Sequence, residues 1–568
     1  MIPAAVISDT AVSTIRVQVE LRTAASTSPG ALGSAIETEL STAVQNLSQS
    51  LGIPGQTAIE LSTLGVAATP ELLLRFRVNG ERVRYPKTML SRAHSYVTGK
   101  LPDPDTKAVL AWFQQAAVSE AAQFVARVAA AAIKQRPSVL FGDSAAIAYL
   151  ELLRNANLET PAIEPHRLRT IVAPALDAGM SIADVSKVAA TLEELRDRSM
   201  VVIQQALIDR LARTEVEIRM PCELLREMTA DASRRTALGL PLLQSGMFED
   251  LGLTLPAIVF APDDSQRDRN FAFRINDLET EPIVGLSREQ LLVNDTAERI
   301  RQAGFDAVAA LHPNAGQTAS VIADRNGHAV RELGRTIYDA PGYLALCLAQ
   351  TLRSRAASLI TLTTVRKALD QLHELWPLAV DAASNEVGDH TLTAVLQNLV
   401  ADGISIHDLS VILESIIDRE YCVTEASALA VLDEYPPPVV ARNPQDIQGL
   451  IRFVRAGLRR QITNLRARQT TTVVVYLLDA TIEDLLAATG GLSERDEDRI
   501  LDAIRSELAY LPPTAQIPSL LTRSEARAAA RALGAQEFPQ IAVLSYDELA
   551  PEINVMPVAR ISLAADSN

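Results

Sequence analysis

The sequence predicts a multidomain α/β protein in which small mixed sheets flanked by helices alternate with helical hairpins, the whole internally duplicated. Three observations lead there: an amphipathic helix-corner-helix unit that occurs twice, alternating apolar segments that precede each copy, and a tail in which strands alternate with helices.

The unit reads HRLRTIVAPALDAGMSIADVSKVAATL at 166–192 and HTLTAVLQNLVADGISIHDLSVILESI at 390–416, aligned without gaps. Leu168, Ile171, Val172, Ala175 and Leu176 follow the spacing of one buried helix face, and Leu392, Val395, Leu396, Leu399 and Val400 repeat it. Gly179 and Gly403 stand where a helix ends in a left-handed residue. Two residues on, Ser181 with Asp184, and Ser405 with Asp408, are expected to supply an N-cap hydroxyl and an acid near N3. Weaker echoes keep the same order: IRVQVEL (15–21) with EVEIRM (215–220), LLRFRVNGE (73–81) with FAFRINDLE (271–279), and 131–153 with 350–372.

The first copy is expected to stop near residue 205, whereas the second continues for about 150 residues. In that tail TTVVVYLLD (471–479) reads as a buried strand followed by a helix at 481–488. SEARAAARALG (524–534) reads as a helix, and PQIAVLSYDEL (539–549) and VMPVARISL (555–563) as strands.

At 568 residues, 48% apolar and 21% charged, the chain suits several packed units and is too apolar to be mostly disordered. Its 53 Lys and Arg against 69 Asp and Glu give a net charge of −16, which repels phosphate backbones and argues against nucleic acid. Cys222, Cys347 and Cys422 are odd in number and widely spaced, which suits a reducing compartment and neither disulfides nor zinc. The longest apolar runs, at 128–133 and 473–478, fall far short of a membrane span, and the start lacks a signal-peptide pattern. A soluble protein of the cytoplasm is expected.

From residue 216 to about 565, the order of LGLTLPAIVF (251–260), FAFRIND (271–277), EQLLVND (289–295), HPNAG (312–316), 343–361, 392–416, VVVYLLD (473–479) and PQIAVLSYDEL (539–549) resembles the FHIPEP family. That family includes the FlhA-type and SctV-type export-gate proteins of type III secretion. The segment 392–416 is its most specific element here, and 539–549 the next. The first 200 residues show a fainter match.

The resemblance implies the following domains. Residues 1–205 form a degenerate, truncated cytosolic module and 206–215 a linker. Residues 216–288 with 318–361 form a first subdomain, with 289–317 inserted as the second. Residues 362–420 are a helical third subdomain, 421–444 a linker and 445–565 an α/β fourth. It also implies a non-enzymatic scaffold or docking component of type III protein export. Such a component would bind export-apparatus proteins and chaperone-cargo complexes, form a homo-oligomeric ring, and lie peripheral to the inner membrane through an export complex. The family's membrane part has no counterpart in this sequence, so no direct membrane insertion is expected. A divergent regulatory protein that kept the fold but not the secretion role is the alternative.

In flagellar relatives the chaperone-receiving hollow carries an acidic residue and a phenylalanine around the segment that aligns with HPNAG, where His312 and Ala315 stand. The resemblance still assigns partner binding to the surface marked by His312, Asn314, Ala315 and Gly316.

No catalytic, cofactor or metal site is expected. The TGK at 98–100 lacks the flanking residues of a phosphate loop, and no His, Cys and Asp group has ligand spacing. His312 and His407 read as surface or cap residues. LFGDS (140–144) resembles an esterase nucleophile block, but Asp143 or Ser144 as a helix cap explains it, and Thr residues of ITLTT (360–364) would cap at the equivalent place. The hairpins carry too few basic residues for DNA reading. The arginines of 452–468 read as a solvated or inter-subunit helix, with pairing to acidic faces of a neighbouring copy as the functional reading.

Overall fold

A computed structural model describes residues 13–22, 29–63, 73–156, 163–213, 215–229, 239–267, 269–314, 318–418, 446–468, 470–488, 490–511 and 517–563. They pack into two compact units, one of residues 1–243 with 256–352, the other of 244–255 with 353–568.

The first unit opens with β1 (Thr14–Arg22), in which Ile15, Val17, Val19 and Leu21 are buried, as a two-residue period requires. Helix α1 (Pro29–Ser50) crosses to β2 (Gln56–Thr63), parallel to β1. On β1's other side lies antiparallel β3 (Leu73–Val78), closed into a hairpin with β4 (Glu81–Val83). The hairpin turn, Asn79-Gly80, has positive φ at both residues, the geometry that suits the twist of the strands.

The same plan recurs in β5 (Glu215–Met220), β6 (Ala257–Pro262), β7 (Asn270–Ile275) and β8 (Leu278–Glu279). The strand orders are β2-β1-β3-β4 and β6-β5-β7-β8, with a parallel first pair and antiparallel second and third pairs in both. Asn276 takes the left-handed conformation that Asn79 takes in the earlier turn. A short β9 (Ile283–Val284) adds to β7.

Helices α2 (Thr88–Thr98), α3 (Thr106–Gln115) and α4 (Val118–Gln135) follow, α2 packing on α3 and α4, and α4 on α1. On α4 the buried Ala121, Ala122, Ala129 and Ala132 keep side chains short where it packs on α1. Helices α5 (Asp143–Asn155), α6 (Pro165–Asp177), α7 (Val185–Glu194) and α8 (Met200–Leu211) follow. The predicted face of α6 is 0 to 1% exposed, and Gly179 has φ 80°. The cap differs from expectation: Asp184, not Ser181, is the N-cap of α7, accepting from the Lys187 N–H, while Ser181 Oγ accepts the Ala183 N–H. Asp184 lies directly before the first helical residue and so reaches an orphan amide that Ser181 cannot.

A four-stranded antiparallel sheet, order β11-β12-β10-β13, is inserted next: β10 (Gln290–Val293), β11 (Val308–Leu311), β12 (Thr318–Ala323) and β13 (Ile337–Tyr338). The helix Ala340–Ser354 completes this part of the chain.

In the second unit Thr361 and Thr364 form a reciprocal capping box that starts the helix Leu362–His373. The helix Pro377–Ala401 contains a break at Gly388 (φ 73°) and buries Leu392, Val395, Leu396, Leu399 and Val400. The tail is a parallel sheet of order β16-β15-β14-β17: β14 (Thr472–Leu478), β15 (Ser519–Thr522), β16 (Val543–Ser545) and β17 (Asn554–Ile561). The strand expected over 539–549 shrinks to three residues, because Tyr546–Glu548 turns into a 3₁₀ helix.

A correspondence missed in the sequence ties each corner to the end of an earlier helix. Leu51 carbonyl accepts the Ile182 N–H at 2.9 Å, and in the other unit Leu251 carbonyl accepts the Ile406 N–H at 3.0 Å. Gly52 and Gly252, both left-handed, follow those carbonyls. A Cβ on either would lie 2.3 Å from the Ala183 nitrogen or 2.4 Å from the His407 nitrogen. The LG pairs at 51–52 and 251–252 were the available signal.

Candidate functional site

The resemblance pointed to the loop after β11. Val308 on that edge strand is 69% exposed, and the Leu311 N–H is taken by Pro102 carbonyl at 2.7 Å. His312 is 2% exposed, which overturns its reading as a surface residue. Its Nδ1 accepts the Asn314 N–H at 3.0 Å, closing the turn from inside. Burial pushes the imidazole below its ordinary pKa, so the ring is neutral near pH 7 and carries its proton on Nε2. Asn314 is half-buried, and Ala315 and Gly316 lie outside the described residues. His312 Nε2 and Asn314 Oδ1 are buried without a hydrogen bond among the described residues.

A second concentration of charge lies in the other unit, beside the Gly403 corner. Asp402 Oδ2 accepts from Arg455 and Arg527, each at 2.8 Å, and Oδ1 accepts from Arg531 at 2.8 Å. Arg455 also forks onto Glu548 at 2.9 and 2.6 Å. Arg455, Arg527 and Glu548 are at most 2% exposed. Burial disfavours the Asp402 carboxylate, yet the guanidiniums of Arg455, Arg527 and Arg531 hold it below the usual carboxylate range. The arginines of 452–468 therefore divide. Arg455 and Arg466 turn inward, Arg466 donating to Asp402 carbonyl at 2.8 Å, whereas Arg459, Arg460 and Arg468 face solvent. This corrects the reading of one solvated helix, because the corner offers a carboxylate and a carbonyl that the inward pair satisfies.

The other candidate motifs resolve into structure. Gly142 is the N-cap residue of α5, without a side-chain cap bond; Asp143 accepts from Arg169, which replaces its expected capping role. Thr98-Gly99-Lys100 ends α2 with a left-handed Gly99. His407 is exposed, its ring centroid 5.0 Å from that of Phe248 and its Nδ1 beside Asp408. Among the described residues no group of three or more His, Cys, Asp or Glu could hold a metal, and no helix is long and apolar enough to cross a membrane.

Residues 118–554 match the FHIPEP family. The flagellar biosynthesis protein FlhA of Treponema pallidum is 24% identical over 331 residues, 55% of this chain and 43% of that protein. The invasion protein InvA of Salmonella typhimurium is 23% identical over 328 residues, 56% of this chain and 44% of its own length. The matched region thus spans less than half of these relatives. Among solved structures, Chlamydia pneumoniae CdsV superposes with a TM-score of 0.53 at 21% identity, covering 61% of this chain and 98% of the other; it is also known in complex with CdsO.

Proposed function

Because this chain belongs to the FHIPEP family, we propose that it is a non-enzymatic docking or scaffold component of type III protein export, working in the cytoplasm beside the inner membrane. The family match over 118–554 carries the reading. The CdsV fold supports it, and CdsV itself is known with a protein partner. Under this reading the residues from 216 onward comprise the four subdomains bounded above, residues 1–205 are a shortened module, and the chain assembles with itself and with export-apparatus proteins and chaperone-cargo complexes. The partner-facing surface is placed at Asn314, Ala315 and Gly316, with His312 bracing the turn from behind. Deleting the chain in its host is expected to reduce the type III substrates released outside the cell. Unchanged release, with the intact apparatus present, would end this reading.

A regulatory role is favoured by one contact. Pro102, in the front segment, occupies the Leu311 N–H on the edge strand that leads into the loop. If regulation is the role, removing residues 1–205 raises export above the intact chain's level.

A further inference from the structure

We propose that the arginine cluster around Asp402, in the second unit, is a binding site for a small oxyanion. The cluster lies where the corner after the helix Pro377–Ala401 meets the tail. The helix Ile447–Gly457 brings Arg455, the helix Arg459–Ala467 brings Arg466, and the helix Ser524–Ala535 brings Arg527 and Arg531, while Glu548 comes from the turn after β16. Four guanidiniums therefore meet two carboxylates. Among the described residues every carboxylate oxygen within 4.0 Å of these arginines belongs to Asp402 or Glu548. The C-terminus of the helix Pro377–Ala401 offsets about half a charge of the surplus, and the rest stands uncancelled in a largely buried place.

The two carboxylates are shared among three of the arginines. Arg455 spends its fork on Glu548, at 2.9 and 2.6 Å, and on Asp402 at 2.8 Å. Arg531 spreads over Asp402 Oδ1 at 2.8 Å and the carbonyls of Ile541 at 3.2 Å and Ala401 at 3.4 Å. Arg466 is left without a carboxylate. Its one hydrogen bond among the described residues runs from Nη2 to the Asp402 carbonyl at 2.8 Å, and its buried Nε has no acceptor. Arg527 donates to Asp402 through Nη1, but its buried Nε, 3.5 Å from Glu548 Oε1, also makes no hydrogen bond. A carbonyl satisfies a donor without cancelling its charge. Burial, with repulsion from Arg455, pushes both Arg466 and Arg527 below their ordinary pKa, the sign of cations short of partners. An oxyanion set against Arg466 would supply the missing acceptor and the missing charge together, in the planar geometry that a guanidinium matches. The approach is from the Arg466 and Arg531 side: Arg466 is half-buried and the Arg531 side chain is 22% exposed, whereas Arg455 and Arg527 are closed off.

This inference is independent of the secretion reading and is tested on the full chain by titration calorimetry and thermal melting. Inorganic phosphate and acetate are added at constant ionic strength set with chloride. Saturable one-site binding with a raised melting temperature is expected, weakened at least tenfold in Arg466→Gln and unchanged in Arg459→Gln, an exposed neighbour on the same helix. Arg466→Lys keeps the charge and loses the fork, so it should weaken binding by a smaller factor and carries the comparison if Arg466→Gln fails to fold. Tighter binding of phosphate identifies a doubly charged ligand; equal or tighter binding of acetate identifies a carboxylate. No heat and no shift with either anion, or undiminished binding in the Arg466 variants, would overturn the proposal.

Discussion

Glu548 accepts both nitrogens of an Arg455 fork and a further bond from Ser545 at 3.1 Å, all out of water. Truncating one partner of such a pair strands the other charge, so Glu548→Ala should lower stability by about 3–5 kcal/mol in denaturant titrations. Asp402 adds a pH signature. Its folded pKa lies below its unfolded value, so its contribution is complete above about pH 3.9 and is lost as pH falls through the folded value. The acid limb of the stability curve should flatten in Asp402→Asn. Cys347 is buried beside Tyr343 and its thiol is pushed up to about 12, chiefly by burial. Mass-spectrometric mapping after alkylation at pH 8 should find Cys347 unmodified until the chain is unfolded. At this scale the sequence identified the glycines of both corners correctly. It misjudged His312 and Arg455, since a histidine after a strand and an arginine on a helix look the same whether water or a carbonyl awaits them.

The short elements were legible wherever local chemistry alone decides them. Thr361 could be read as a cap because a hydroxyl before a helix meets orphan amides whatever surrounds it. Thr361→Ala should cost about 1 kcal/mol. The corners separate local from tertiary cost. Gly403 has a left-handed φ of 70° and open space around a Cβ, whereas a Cβ on Gly179 would lie 2.7 Å from that of Leu278. Gly403→Ala should therefore cost only the left-handed penalty of about 1–2 kcal/mol, and Gly179→Ala measurably more. Equal losses in thermal unfolding would contradict this account. The same reasoning shows why Gly52 and Gly252 escaped notice: their need for hydrogen comes from a backbone more than 100 residues away.

In the first unit the α4 cations Arg127 and Lys134 converge on Glu281, beyond β8, and the turn at 276–278 seats on the Gly179 corner. Burial works against the Glu281 carboxylate, but Lys134 and Arg127 overcome it and hold its pKa below the usual value. Glu281→Gln should loosen this seam, seen as faster amide exchange in α4 and β7 with little change in β14. The sequence by itself determined the repeated hairpins, the strand and helix periods, the absence of a phosphate-loop or metal-ligand pattern and the family resemblance, because each is written in spacing along one segment. Only the tertiary structure decided that the two sheets share one strand order, that Arg455 is buried and that His312 faces inward. Those outcomes depend on which distant groups lie within about 3–4 Å of one another, where hydrogen bonds and desolvation act.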